Sequence, residues 1–345
     1  MSQFLGKLSN NQDVLSVTLE NSKGLKVTAM NYGACLLKIL VPDRNGNPCD
    51  VLLGFGALTS YEDNASCHGA IVGRNANRIG GAKVTIAGKE YLLAKNDKGN
   101  NNLHSGPIRW SQRFWEIEEE GKNSVTFSLD SPDLEQGLPG NMKVRVTYTL
   151  SEENALAIHY DVISDAETIC NITNHSYFNL NGAGNGNILD HEVWIDADAF
   201  TPSDVALIPT GEIRSVEGTP MDFRTPKRIG KDLHADYEPL ILAGGYDHNY
   251  VLKNQGKLAK VASAYAGSTG ISMDVMTDLP GLQMYTGNFL KDEGKNGVSY
   301  GHYDGVAFET QFYPDAVHHE IFPQPLIHAK ERFTSTTCYV FATRK

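Results

Sequence analysis

Long apolar runs are what this sequence most plainly lacks: no stretch approaches the roughly 18 consecutive hydrophobic residues of a membrane span. The N-terminal MSQFLGKLSNNQD carries neither the basic leader nor the apolar segment of a secretory signal, so a cytoplasmic protein with no membrane partner is expected. Basic runs are missing too. Thirty lysines and arginines stand against 41 acidic residues, a net charge of −11, and no positive stripe is available to track phosphates. Nucleic acid is therefore not an expected partner. Five cysteines (Cys35, Cys49, Cys67, Cys170 and Cys338) are odd in number, widely spaced and free of any CxxC pair. That argues against a zinc site or a disulfide framework and for reduced thiols. No fixed-period repeat, low-complexity block or Pro/Ser-rich linker divides the 345 residues, which predicts a single domain over 1–345.

Helical periodicity is equally scarce: ALTSYED and RIGKDLHADYE offer a few turns each, and neither carries a long amphipathic stripe. What the sequence has instead is alternation. VLSVTLENSKGLKVTAMN, AKVTIAGKEYLLA, SVTFSLD, MKVRVTYTLSEENALAIHYDVIS and GISMDVMTD all show the period of two of half-buried strands. The short polar connections NSKG, RNGN, IAGKE, EEGKNS and SEEN carry the glycine and asparagine of hairpin turns. The expected fold is all-β: a large antiparallel β-sandwich with few short helices, in which an outer concave sheet face can hold a ligand.

Residue parity then selects candidates. Read as one strand, TICNITNHSYFNL puts Cys170, Ile172, Phe178 and Leu180 on one face and Asn171, Thr173, His175, Tyr177 and Asn179 on the other. Judged alone, His175 reads as part of a solvated strand face, although its amide, hydroxyl and tyrosine neighbours look more like a hydrogen-bonding wall. In GVAFETQFYPD, Glu309 lies with Ala307 and Gln311 opposite Val306, Phe308 and Phe312, and alone it reads as an exposed glutamate on an edge strand. Polar groups also gather in GRNANRIGG (Arg74, Asn77, Arg78), NNLHSG (His104) and LAGGYDHNYVL (Asp247, His248). Turn chemistry explains asparagine, glycine and aspartate in such loops, but not arginine or histidine. Gln283, in LPGLQMYTGNF, fits a satisfied buried amide or a partner for a sugar hydroxyl equally well.

The segments GRNANRI, NNLHSG, TNHSYFNL, GGYDHNYVL, LPGLQMYTGNF and FETQFYPDA, in that order, resemble the aldose 1-epimerase (galactose mutarotase) family. The resemblance implies an open-cleft β-sandwich that binds a free aldohexose such as galactose or glucose. It implies interconversion of the α and β anomers with no cofactor and no metal, by a monomer or a homodimer. His175 matches the family's general acid and Glu309 its general base. Asn77, Arg78, His104, Asp247 and Gln283 match sugar-binding positions, with Tyr177 beside them. The sequence departs from the common pattern at Ser105, His318 and Ala329, none of which is the expected acid or base.

The chemistry wants such a pair, because opening a hemiacetal takes a proton from the anomeric hydroxyl and gives one to the ring oxygen. Glutamate, with an ordinary pKa of about 4.3, is expected ionised; histidine, near about 6.5, can donate if a neighbouring acid raises its pKa. Three rival readings share these residues: a sugar-binding module without catalysis, a glycoside hydrolase using Asp247 and Glu309, and an epimerase of hexose phosphates. A hydrolase would need its carboxyls about 5–9.5 Å apart. A scaffold role is weaker, since it gives no reason for polar residues on inward strand positions.

Overall fold

A computed structural model describes residues 1–345, and its 28 strands are accompanied by seven single-turn 3-10 segments and one short α-helix, Glu238–Ala243. No helix is long and apolar enough to cross a membrane. The hairpins expected from turn chemistry form where the turn residues stand. Asp13–Glu20 pairs with Lys26–Met30, Lys83–Ile86 with Lys89–Leu92, Glu116–Glu120 with Ser124–Ser131, and Met142–Leu150 with Ala155–Ser164, all antiparallel. Helix placement differs from expectation: Leu58–Tyr61 and Ile229–Lys231 make only single 3-10 turns. The α-helix starts at Glu238, where Pro239 occupies the first turn, and stops at Gly244 in a left-handed cap (φ 65°).

Two sheets form the sandwich. The larger has nine strands, in the order Glu116–Glu120, Ser124–Ser131, Met142–Leu150, Ala155–Ser164, Arg332–Thr343, Ile271–Thr277, Ala259–Tyr265, Glu192–Ile195 and Lys227–Arg228. The second has six, in the order Tyr177–Phe178, Val306–Gln311, Gly281–Tyr285, Asp247–Leu252, Ala197–Thr201 and Arg214–Ser215. A separate five-stranded sheet holds the N-terminal 50 residues.

Alternation fixes which faces meet. From Val306–Gln311, Val306 and Phe308 enter a cluster of 58 buried side chains that runs from Val17 to Phe341. Phe178 packs against Tyr339 of the large sheet with ring centroids 4.9 Å apart and planes tilted by 58°, and the Thr310 and Thr337 hydroxyls hydrogen-bond across the gap at 2.5 Å. Ala307, Glu309 and Gln311 therefore point the other way, onto the outer face of the six-stranded sheet. That face is roofed by loops, so every residue of Val306–Gln311 is buried. Glu309 is thus no exposed edge residue: its strand lies between Tyr177–Phe178 and Gly281–Tyr285, and it is 2% exposed.

Candidate active site

The stretch around His175 is not one strand. Thr173–Asn174 pairs with Ile71–Val72, and Tyr177–Phe178 pairs with Val306–Ala307, so the chain changes partner at His175 and Ser176. The crossing is stapled by backbone: His175 N–H donates to the Ala70 carbonyl (2.9 Å) and Gly69 N–H donates to the His175 carbonyl (3.0 Å). The asparagines of TNHSYFNL serve this backbone rather than a ligand. Asn174 donates to the Gly69 carbonyl at 2.9 Å, and Asn179 donates to the carbonyls of Gly186 (2.7 Å) and Asp304 (3.0 Å). All residues from Thr168 to Leu180 are buried, so the solvated face is corrected: loops cover it, and His175 is 4% exposed.

A cleft partly open to solvent lies over this face. The structure brings seven of the eight candidates into its wall: Asn77, Arg78, His104, His175, Tyr177, Asp247 and Glu309. Gln283 stands behind the wall, opposite Glu309 and Asn249 in the sheet, and its amide donates to Asp247 Oδ1 at 2.6 Å. Sequence reasoning missed Ser66, Cys67, Tyr285 and Phe289, which also line the cleft. Tyr285 alone had a signal, sharing the parity of Gln283.

The Arg78 loop owes its shape to backbone conformations rare outside glycine. Asn77 (φ 61°), His104 (φ 55°) and Ser105 (φ 62°) all lie in the left-handed region, a form of local strain that clusters at functional sites. Reciprocal hydrogen bonds hold it: His104 N–H donates to the Asn77 carbonyl (3.0 Å), and Asn77 N–H donates to His104 Nδ1 (3.1 Å). Ser105, an unusual residue there by resemblance, accepts from Asn75 N–H at 2.9 Å through its hydroxyl. Arg78 is oriented from both sides, its Nε 3.1 Å from Asp97 and its Nη1 3.9 Å from Asp247. Arg74 faces away: its guanidinium donates to the carbonyls of Ser131, Pro132, Leu138, Pro139 and Gly140 and organises that turn.

At the floor, His175 Nε2 lies 3.5 Å from Glu309 Oε2. Their electrostatics depart from the sequence expectation. Burial, reinforced by neighbouring His68, pulls the His175 imidazole down to about 3. Burial and the adjacent Asp247 carboxylate push the Glu309 carboxyl up to about 8, with Arg78 opposing. The acid beside the histidine does not raise it, since Glu309 is itself pushed towards its neutral form. Burial also holds His104 well below the ordinary histidine range.

His104, His175 and Glu309 offer ligand-type atoms within 4.8 Å of one another. His104 nevertheless accepts from the Asn77 N–H through Nδ1, which leaves its proton on Nε2. It therefore presents a donor to the cleft, suited to a sugar oxygen rather than to a cation needing a lone pair.

A family model described as aldose 1-epimerase matches residues 15–340. The chain is 42% identical to galactose mutarotase of Bos taurus over 323 residues, 93% of this chain and 92% of the relative. It is 36% identical to aldose 1-epimerase of Escherichia coli strain K12 over 94% of both chains. Among solved structures, an aldose epimerase homologue from C. elegans superposes with a TM-score of 0.89 at 31% identity over 100% of both chains. Galactose 1-epimerase from Lactobacillus acidophilus NCFM superposes with a TM-score of 0.87 at 29% identity, covering 100% of this chain and 99% of the other. The match runs through the segments that build the cleft and the sandwich beneath it, and the chain belongs to the aldose 1-epimerase family, isomerases that interconvert the anomers of aldoses.

Proposed function

We propose that this cleft binds a free aldohexose, galactose or glucose, and that His175 and Glu309 carry the protons of ring opening and reclosure. The observation that carries this reading is a single buried histidine–carboxyl pair, 3.5 Å apart, on the floor of a cleft walled by hydroxyl-binding groups. Glu309 takes the proton of the anomeric hydroxyl as the bond between C1 and the ring oxygen breaks, and His175 protonates that oxygen. Rotation about C1–C2 turns the other aldehyde face inward. The oxygen then returns its proton to His175 and attacks C1, while Glu309 protonates the new anomeric hydroxyl. Protons balance over the cycle, and each group ends as it began.

Arg78, Asp247, Asn77 and His104 hold the ring by hydrogen bonds, the charged ones the stronger. Gln283 acts one step removed, by fixing Asp247. A hydrolase reading is disfavoured because Asp247 is already engaged by Gln283 and faces Arg78, which does not suit a free second carboxyl. The whole chain acts as one unit in this reading, supported by one apolar cluster that reaches from Val17 to Phe341. A cytoplasmic location belongs to the same proposal, since five unpaired thiols, four of them buried, suit a reducing compartment.

The test is polarimetry of freshly dissolved α-D-galactose and α-D-glucose. The wild-type chain is expected to accelerate mutarotation of at least one, and His175→Asn and Glu309→Gln to lower turnover by at least about a hundredfold while remaining folded. Wild-type protein that leaves both sugars at the buffer rate, or either variant at near-normal turnover, overturns the assignment.

A further inference from the structure

One buried histidine stands beside the cleft without a part in the proton transfers. The His68 side chain has no exposure, and its Nε2 lies 3.0 Å from Asp292 Oδ2. The same carboxylate oxygen accepts from the Ser66 hydroxyl at 2.7 Å. Since a carboxylate only accepts, the His68 proton sits on Nε2.

These contacts join two segments far apart in sequence, both at the mouth of the cleft. Ser66 and Cys67 line it from one segment, and Phe289 and Leu290, just before Asp292, from the other. Phe289 is 59% exposed at the rim. The turn bearing Ser66 is also tied internally, His68 N–H donating to Asn64 Oδ1 at 2.7 Å.

The His68 ring in turn backs the site. It packs 4.9 Å from Tyr177, centroid to centroid, and Tyr177 packs 5.0 Å from His175. On its other side His68 meets Phe55 edge-on at 4.9 Å, and Phe55 meets Tyr61 at 5.0 Å. A column of rings thus runs from the floor of the cleft through His68 to half-buried Phe55 and buried Tyr61. His68 is the one member of it tied by an ion-pair contact to the rim.

We propose that Asp292 and His68 are positioning residues: one carboxylate oxygen clasps the two rim segments together and fixes the ring that backs Tyr177 and His175. The clasp sets how tightly a sugar is held, not the proton chemistry, and it rests on reading the cleft as the aldose-binding site. A hydrogen bond to a charged group inside a half-buried rim is strong enough for its loss to be felt as about tenfold in affinity.

Mutarotation kinetics with D-galactose and D-glucose test it. Asp292→Ala is expected to raise KM about tenfold with kcat within about threefold of wild type, and His68→Phe, which keeps a ring in the column, to raise KM by a similar factor. Asp292→Asn, whose amide oxygen still accepts from both donors but without the charge, should raise KM clearly less than Asp292→Ala does. The double variant should be no worse than either single one, because both remove the same clasp. Unchanged KM in Asp292→Ala, additive penalties in the double variant, or an Asn variant as impaired as the Ala variant overturns the proposal. Glu309→Gln is the control. If it retains turnover, the reading of the cleft fails; if it is inactive while Asp292→Ala has normal KM, only the clasp fails.

Discussion

At the level of single residues, the site is organised around one proton shared by two groups that burial has displaced in opposite directions. With Glu309 pushed up to about 8 and His175 pulled down to about 3, the sugar-free pair holds that proton on the carboxyl at neutral pH. The assigned roles need it on the imidazole, so it must cross the 3.5 Å gap when sugar binds. Arg78 already favours the carboxylate, and sugar hydroxyls that engage Asp247 weaken its repulsion of Glu309. Above the Glu309 pKa the pair has no proton left to give, so kcat/KM is expected to fall as pH rises through about 8. Asp247 is the charge that raises Glu309 after burial, so Asp247→Asn should move this alkaline limb to lower pH, alongside any rise in KM. A limb that stays in place or moves upward in that variant would mean Asp247 does not govern the Glu309 proton.

At the level of elements, the short strand Gly281–Tyr285 does more than its length suggests, because it joins the two strands that bear the acidic groups. It pairs with Asp247–Leu252 on one side and Val306–Gln311 on the other, placing Gln283 between Asn249 and Glu309. Gly281 opens that strand for a steric reason. A Cβ there would lie 2.3 Å from Asn249 Oδ1 and 3.0 Å from the Gln311 carbonyl, with Tyr313 at 2.9 Å. Gly281→Ala forces the buried Asn249 amide and the Tyr313 ring to shift and presses on the Gln311 strand, and should cost about 1–3 kcal/mol of stability. Since Gln283 and Glu309 flank the disturbed register, turnover should drop with it; thermal melts and polarimetry on the same preparation read both. A variant with wild-type melting and rate would show that the strands have slack at this point.

Elements also mark where the sequence could be read and where it could not. Hairpins such as Met142–Leu150 with Ala155–Ser164 were legible because a period of two and a turn sequence are local signals. The break at His175 was not, because parity assumes a continuous strand, and here the chain swaps partners between Asn174 and Tyr177. The helix Glu238–Ala243 was missed although Pro239 marks its first turn and Gly244 its end, since six residues are too few to show a periodic face. Asp97 behind Arg78, and Asp292 behind His68, had no signal at all, their partners lying 19 and 224 positions away.

For the whole molecule, the cost of the site should be readable in its stability. Resemblance drew His175 and Glu309 together, but only the roof of loops over the six-stranded sheet explains why both are buried and hence why both titrate abnormally. Linkage makes that burial measurable. A carboxyl raised to about 8 in the folded state, against an ordinary 4.5, binds its proton more tightly when folded. Its contribution to stability is therefore fully present below the unfolded value and is lost as pH rises through about 8. Above that point the fold must carry a desolvated carboxylate, and Glu309→Gln relieves it with a neutral group of the same shape. The variant's melting temperature should match wild type near pH 5 and exceed it progressively towards pH 9, while turnover is lost throughout. This is the pattern of a fold that gives up stability for a poised acid–base group. An advantage that is flat with pH, or largest at low pH, would mean the Glu309 carboxyl is not held neutral by the fold, and the shared-proton account of the pair would go with it.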